Sequence, residues 1–237
     1  MRRRRVLRWM IFVVVLGLGG WLGYELLTWP HVAELATRPP RTTAFIERYR
    51  AAERAAGRPG AVARVSVPYE AISLHVKRAV LVAEDINFFS HRGFELGAVQ
   101  DAAERMLRGD TRPRGASTIT QQLAKNLWLS PSRSPLRKVR EAILAWQLER
   151  TLSKRRILEL YLNVAELGRG VYGVEAAARR YFGKSAAELD PVEAAQLAAS
   201  LPRPRQWHPG VQSRAYQGYA ESIRRRMERA DFLRRHI

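Results

Sequence analysis

The sequence predicts a mainly α-helical protein. Apolar residues recur at helical spacing over most of the chain beyond residue 61, and alternating strand patterns are few, with Val62–Val67 the best candidate. Apolar residues fill 46% of the 237 positions, enough for a substantial core in one domain of moderate size with an appendage. The chain has no Cys, which excludes a disulfide scaffold, a thiolate zinc site and a Cys nucleophile.

The first predicted helix is a membrane anchor. An uncharged run from Trp9 to Tyr24 follows five Arg residues within the first eight positions, and with its apolar flanks it approaches the ~20 residues that cross a bilayer. A cleaved signal peptide is the alternative, but the run is long for one and no small-residue cleavage site is evident. The Arg block favours a cytoplasmic amino terminus. We therefore expect a cytoplasmic basic segment at 1–8 and a transmembrane anchor at 9–28, with the remainder outside the inner membrane.

The segment after the anchor is rich in Pro, Arg and Ala. This composition predicts a periplasmic linker over 29–60 with one short helix near Thr43–Ala56. The next helical segment, Leu74–Glu84, carries the nearly continuous apolar face expected of a buried helix.

Three further helices are predicted in the second half of the chain. Pro135–Leu152 is a long amphipathic helix. Its recurring apolar residues are Leu136, Val139, Ile143, Trp146 and Leu152. Ser153 is expected to cap the helix that follows. The sequence Asp190-Pro-Val-Glu193 combines an N-cap with Pro at the first helical position and Glu at the third, so it predicts a helix that must end before Pro202.

A first chemical cluster begins where the Leu74–Glu84 helix ends, with the adjacent carboxylates Glu84 and Asp85 and, a few residues on, Phe88 and His91. A carboxylate beside an apolar wall has a raised proton affinity, which suits a general base near neutral pH. The alternative is an ordinary helix end with an acidic pair in solvent.

A second cluster, between residues 115 and 126, is rich in hydroxyl, amide and ammonium groups. Its candidate binding residues are Ser117, Thr118, Gln121, Gln122, Lys125 and Asn126. A helix start of this composition is a natural site for sugar hydroxyls or a phosphate. Thr118 and Gln121 also fit a capping box, so a simple helix start explains those two residues equally well.

A third cluster combines cations with one acidic residue. Arg133, Arg137 and Lys138, together with Lys125, could form a cationic clamp that stabilises a departing diphosphate, because negative charge grows on the leaving group in the transition state. Glu141 lies three residues after Lys138 on the same helical face, so it could be only a salt-bridge partner.

A fourth cluster contains Gly168, Gly170 and Gly173, which satisfy the pattern G-x-G-x-x-G. A dinucleotide site is rejected because the pattern follows a predicted helix rather than a strand and no βαβ unit surrounds it. The glycines instead predict a tight turn between helices.

Taken together and in order, the four clusters resemble the motifs of the family-51 glycosyltransferases, the peptidoglycan polymerases, over about residues 61–210. Ala116 stands where the family pattern usually has a second Gly, as in its monofunctional members. The Ser-x-x-Lys and Lys-Thr-Gly motifs of a transpeptidase domain do not occur in the chain. The resemblance is therefore to a monofunctional transglycosylase, and it implies a lysozyme-like helical lobe with a small membrane-proximal jaw in a glycosyltransferase domain at 61–237.

The resemblance also implies roles for single residues. Glu84 would remove the proton from the 4-hydroxyl of the acceptor, lipid II, and that oxygen would attack the donor glycan strand on undecaprenyl diphosphate with inversion. Glu141 would be a second catalytic glutamate near the donor diphosphate, which the cationic clamp would neutralise. The remaining substrate-binding candidates are Asp85, Phe88, His91, Ser117, Thr118, Gln121, Gln122 and Asn126.

The implied setting is the bacterial inner membrane, crossed once, with the catalytic domain in the periplasm. The implied partners are lipid II, the lipid-linked strand, the membrane and, as further candidates, other cell-wall synthesis proteins; nucleic acid is not among them. No cofactor is firmly implied. The sequence shows no dedicated metal cage, which leaves only a divalent cation, Mg²⁺ or Mn²⁺, bridging a diphosphate and a carboxylate.

Two other interpretations compete with that of a glycosyltransferase. The formal net charge of +19 calls for a polyanionic context and would also suit a non-enzymatic basic module that binds nucleic acid or membrane. A lytic glycan cleaver of similar helical fold is the second alternative, but it would need an acid to protonate a sugar leaving oxygen. The cation-rich third cluster fits a diphosphate leaving group better.

Overall fold

The structure is a computed structural model that describes residues 2–95, 117–132 and 134–237. The chain forms two compact units, Met1–Val32 and Ala33–Ile237. The first unit consists mainly of helix α1, Arg2–Leu27, which covers the predicted anchor. Within the described residues, no helix combines the length and the apolar character that crossing a membrane requires. The anchor at 9–28 therefore stays a prediction.

The second unit is mainly helical, as predicted, with a small sheet. Its helices are α2 (Ala44–Ala55), α3 (Leu74–Glu84), α4 (Ile119–Trp128), α5 (Pro135–Thr151), α6 (Lys154–Val164), α7 (Val174–Phe182), α8 (Pro191–Ser200) and α9 (Arg214–Arg229). Its strands are β1 (Ala63–Arg64), β2 (Glu166–Gly168) and β3 (Val171–Tyr172). Short 3₁₀ turns occupy Val32–Ala36, Tyr69–Ala71 and Asp231–Arg235.

The helices pack into two neighbouring groups. Helix α3 packs against α8 and α9, while α4 packs against α2, α5 and α6. The predicted bounds of α3 are confirmed, and Ser153 caps α6 by accepting a hydrogen bond from the Arg156 N–H. Asp190 begins α8 with a complete capping box to Glu193. Local capping patterns thus located these helices correctly.

The predicted strand Val62–Val67 is only partly confirmed, since pairing is limited to β1. The sheet has the order β1-β3-β2, with β1 parallel and β2 antiparallel to β3. Gly168 and Gly170 lie at the tight connection of the β2–β3 hairpin, a strand pair that was not predicted from the sequence, and Gly173 lies between β3 and α7. Gly173 has φ 82°, and a Cβ there would lie 2.8 Å from the Asn163 carbonyl oxygen, so both the conformation and the space require glycine.

Helix α2 belongs to the second unit, although it was expected within a linker. Thr43 caps its start, and Ile46 and Tyr49 are buried. Tyr49 packs against Tyr172 of β3 with ring centroids 6.2 Å apart, and Arg48 donates a hydrogen bond to the Leu129 carbonyl after α4. Burial of this apolar face holds the segment against the helical body.

Helix α5 is apolar on two faces. Its buried residues are Glu141, Leu144, Ala145 and Leu148. The recurring apolar residues identified from the sequence, apart from Leu152, form a second stripe that is exposed: Leu136 (65%), Val139 (58%), Ile143 (44%) and Trp146 (49%). An apolar stripe at helical spacing normally faces the core. Here the inward face is supplied by other residues, so the stripe points outward.

Candidate active site

The candidate site is organised around Glu84, the last residue of α3. Its Oε2 accepts a hydrogen bond of 2.7 Å from Nε2 of Gln122 on α4, and the Gln122 Oε1 accepts one of 2.9 Å from the hydroxyl of Tyr161 on α6. The carboxylate is therefore held where α3, α4 and α6 meet.

Burial raises the pKa of Glu84 above its ordinary value, because desolvation disfavours the charged form, and the neighbouring charge of Asp85 acts in the same direction. The hydrogen bond from Gln122 and the positive charges of Lys125 and Arg226 partly oppose the rise in pKa. A carboxyl group whose pKa is raised, but whose anion is stabilised by a hydrogen bond and nearby cations, fits the predicted general base. The alternative, an acidic pair in solvent, does not describe this environment.

Asp85 and His91 form a hydrogen-bond network between the end of α3 and the start of α4. Asp85 is buried and accepts hydrogen bonds from the Ile119 N–H, at the start of α4, at 2.9 Å and from Nε2 of His91 at 3.0 Å. Nδ1 of His91 in turn accepts the Gly93 N–H at 3.1 Å, which fits the tautomer protonated on Nε2. This network fixes the beginning of α4 relative to the end of α3.

Phe88 was predicted to bind substrate, but its side chain is fully buried. It packs edge-on against Phe89, and the ammonium of Lys154 lies 4.3 Å from its ring centroid. In this conformation Phe88 supports the loop after α3, and its contact with substrate stays a prediction. An aromatic residue beside polar motifs gives no sign in the sequence of the direction in which it points.

Thr118 and Gln121 form the complete capping box of α4, and both are buried. The simpler interpretation, a helix start, therefore accounts for these two residues, and their part in a donor cleft stays a prediction. The Ser117 carbonyl accepts a 3.4 Å hydrogen bond from Nε2 of Gln122. Gln122, Lys125 and Asn126 do face a cleft.

The cleft has a volume of about 950 Å³ and lies between α2, α4 and the segment that follows α8. Four of its lining residues are cationic, namely Arg48, Lys125, Arg203 and Arg205, and the carboxylate in its described lining, Glu166, is paired with Arg205 at 2.9 Å. Such a lining attracts an anionic ligand. Its aromatic wall consists of Phe45, Tyr49 and Tyr161.

Lys125 lies between Glu84 and the charged residues of α5, and both affect its pKa. Burial lowers the pKa of its ammonium group, an effect that Arg137 and Lys138 increase and that Glu141 and Glu84 oppose. No carboxylate in the described part of the chain lies within ion-pairing distance of it. A half-buried ammonium group that forms no ion pair with the described residues is well suited to receive a ligand anion.

Glu141 is buried beneath the other cations of the third cluster. Arg137 donates to its Oε2 at 2.5 Å, and Lys138 donates to its Oε1. The salt-bridge reading of Glu141 is therefore confirmed as geometry. Two cations on one carboxylate leave a net positive charge, so the pairing is also compatible with a clamp. Arg133 lies outside the described residues.

Several cleft residues were missed in the sequence reading. They are Phe45, Arg48, Tyr49, Tyr161, Arg203, Arg205 and, near Glu84, Arg226. Tyr161 lies seven residues before Gly168, the first glycine of the fourth cluster, and was not assigned a site role. The Arg residues lie in segments without a chemical pattern, and only folding brings them to the cleft.

Comparisons with known proteins identify the family of the chain. The transglycosylase family model matches residues 28–228. A biosynthetic peptidoglycan transglycosylase of Thiobacillus denitrificans is 44% identical over 94% of this chain and 97% of its own length. Proteins of the same description from Azoarcus sp. and Aromatoleum aromaticum are 44% and 47% identical, over 94% and 87% of this chain and 96% and 87% of their own lengths. The chain therefore belongs to the transglycosylase family.

Proposed function

We propose that this protein is a peptidoglycan glycosyltransferase that polymerises lipid II into β-1,4-linked glycan strands, releases undecaprenyl diphosphate and has no transpeptidase activity. The observation that carries the proposal is the electrostatic coupling, without an ion pair, between a desolvated carboxylate, Glu84, and a half-buried ammonium group, Lys125, that has no counter-ion among the described residues. The first group suits proton removal and the second suits a departing anion. The family and the names of the relatives support the same reaction.

In the proposed reaction, Glu84 takes the proton of the acceptor 4-hydroxyl. The hydroxyl oxygen forms a bond to the anomeric carbon of the donor sugar from the face opposite the leaving group, which inverts the centre. The bond between that carbon and the diphosphate oxygen breaks, and the electron pair remains on the diphosphate. Lys125, Arg137 and Lys138 neutralise the charge that develops there.

Glu141 acts in this scheme by holding Arg137 and Lys138 on one side of α5. Because both of its oxygens already accept hydrogen bonds from cations, it does not fit a vacant metal ligand. The described residues also contain no group of three side chains suited to hold a metal ion. The residues that the structure describes therefore do not fit a resident Mg²⁺ or Mn²⁺, and no step is assigned to one.

We further propose that the protein works at the bacterial inner membrane, with residues 1–8 cytoplasmic, 9–28 as the anchor and the remainder in the periplasm, where α2 of the predicted linker 29–60 packs against the catalytic part at 61–237. Exposed apolar side chains on α1, among them Trp9, Met10 and Phe12, support the anchor. The exposed stripe of α5 supports a second contact with lipid. Monomeric soluble proteins rarely expose a continuous apolar patch, and here four large apolar side chains are exposed along one face of a helix. The guanidinium of Arg150 lies 4.9 Å from the Trp146 ring centroid, so a cation accompanies an aromatic residue that is typical of interfaces.

The decisive experiment supplies the purified full chain with lipid II in one reaction and with finished glycan in another. A polymerase yields glycan polymer and undecaprenyl diphosphate from lipid II and leaves finished glycan intact. A lytic enzyme would instead release fragments from finished glycan, and a binding module would change neither substrate. Other cell-wall synthesis proteins remain candidate partners of this protein at the membrane.

A further inference from the structure

We infer that Tyr161 is a positioning residue for Glu84 that acts through the side-chain amide of Gln122, an inference that rests on the proposed role of Glu84. The Tyr161 hydroxyl donates to Gln122 Oε1 at 2.9 Å, and Gln122 Nε2 donates to Glu84 Oε2 at 2.7 Å. The three side chains come from three different helices and form one continuous chain of hydrogen bonds.

The orientation of the Gln122 amide decides which form of Glu84 it supports. The two ends of a carboxamide have nearly the same shape, so either could face the carboxyl group. With the NH₂ toward Glu84, the amide stabilises the carboxylate; with the oxygen toward Glu84, it repels the carboxylate and can accept from the protonated acid. The Ser117 carbonyl, which can only accept, lies 3.4 Å from Nε2 and selects the first orientation. The Tyr161 hydroxyl then donates to the amide oxygen, holds the amide in that orientation and so supports the ionised base.

Tyr161 is suited to this task because it remains a neutral donor. Its side chain is 1% exposed. Burial raises the pKa of the phenol well above its ordinary value, and the nearby charges of Glu84 and Asp85 act in the same direction. The hydroxyl therefore keeps its proton over the whole range in which Glu84 titrates.

Other groups also influence Glu84, and they define what the test must separate. Asp85 adjoins it on the chain, Lys125 approaches from α4 and Arg226 from α9. These groups act through their charge. Gln122 acts through a directional hydrogen bond, so removal of Tyr161 should change only the contribution of Gln122.

The test is the titration of Glu84 itself, followed by ¹³C NMR of carboxyl-labelled Glu in the full chain and assigned with Glu84→Gln. Tyr161→Phe should raise the midpoint by roughly half to one pH unit, as expected for a misplaced hydrogen bond. Tyr216→Phe is the matched control, because Tyr216 is also buried and its hydroxyl also donates one hydrogen bond, to the Gln196 carbonyl. It should leave the midpoint unchanged.

A double variant separates positioning from a general structural effect. Gln122→Met should raise the midpoint by at least as much as Tyr161→Phe, and adding Tyr161→Phe to Gln122→Met should raise it no further. An unchanged midpoint in Tyr161→Phe, or an equal shift in the Gln122→Met background, would overturn the inference. If Tyr161→Phe does not fold, Gln122→Met is measured alone. An unchanged Glu84 midpoint in that variant would show that the Gln122 amide does not support the carboxylate, and would overturn the inference.

The titration needs no turnover, so its outcome is independent of the lipid II experiment. If the inference is correct and the enzyme polymerises lipid II, the acid limb of the pH–rate profile should move upward with the Glu84 midpoint in Tyr161→Phe. A titration that shifts in a protein without polymerase activity would uphold the contact chain while rejecting the proposed function.

Discussion

The side-chain amide of Gln122 lies 2.7 Å from the Glu84 carboxylate and donates a hydrogen bond to it. This contact opposes the effect of burial, which raises the pKa of the same carboxyl group. Glu84 is thus held between two requirements of a general base: enough proton affinity to accept a proton and enough support to be ionised beforehand.

Replacing Glu84 by Gln should reduce polymerisation by about 10²–10⁴-fold, the usual contribution of a general base, while the fold is retained. The amide oxygen of the new side chain can still accept from Gln122, so packing changes little. Initial rates of lipid II polymerisation measure the loss, and circular dichroism checks the fold. Glu70→Gln, at an exposed position, is the control and should be fully active. Equal polymer yield from both variants would eliminate Glu84 as the base.

The same substitution should stabilise the protein at neutral pH. The folded state binds the Glu84 proton more tightly than the unfolded state, whose ordinary pKa is 4.5, so unfolding releases a proton in the window above 4.5. Stability contributed by this group is therefore greatest at low pH and is lost as the pH rises through the folded-state pKa. Melting temperatures of Glu84→Gln and wild type should differ most near pH 7 and converge toward pH 4. A lower melting temperature for the variant at neutral pH would contradict the raised pKa.

Lys125→Met should lower kcat/KM for the lipid-linked donor by roughly 10²-fold, because a half-buried cation that is coupled electrostatically to both Glu84 and Glu141 is lost. It should also leave stability unchanged or raise it, since burial already penalises this ammonium group. Lys184→Met is the control, because Lys184 forms an exposed pair with Glu193. Destabilisation of Lys125→Met with normal donor use would assign Lys125 a structural role instead.

Lys138 and Glu141 should respond in opposite ways although they form one ion pair. Lys138 is half exposed, so Lys138→Ala should weaken donor use more than folding. Glu141 is buried, and Glu141→Ala should cost about 3–5 kcal/mol of stability, because Arg137 and Lys138 lose their partner. Chemical denaturation and donor kinetics on both variants provide the comparison. Equal stability losses would show that the pair is a structural bridge alone.

The exposed stripe of α5 should lie in the apolar region of a bilayer. Because the chain has no Cys, Ile143→Cys can carry a single nitroxide label in full-length protein reconstituted into phosphatidylglycerol-containing vesicles. Collisions with oxygen should exceed those with a water-soluble nickel complex at this site, and the reverse should hold for the exposed control Gln217→Cys. Protection from both reagents would indicate cover by protein, and spin–spin broadening would indicate a second copy; either result would reject the lipid contact.

Local sequence determined the helices and the order of the chemical clusters. Leu74–Glu84, Pro135–Thr151 and the helix starts at Ser153 and Asp190 depend on apolar spacing and capping groups within a few residues, so their positions could be predicted. The same locality brought Gln122 and Lys125 onto one helix, which is why the α4 side of the cleft was recognisable in advance.

Only the tertiary structure decided which of these side chains can meet a ligand. Thr118 and Phe88 stood in the recognised clusters yet are buried in a cap and in the core, while Arg48 and Arg205 come from segments without a motif and line the cleft. The stripe of α5 likewise has the spacing of a core face and points outward. Burial and the distances between charges depend on which distant segments pack together. The spacing of residues along the chain does not specify the segment against which a side chain packs.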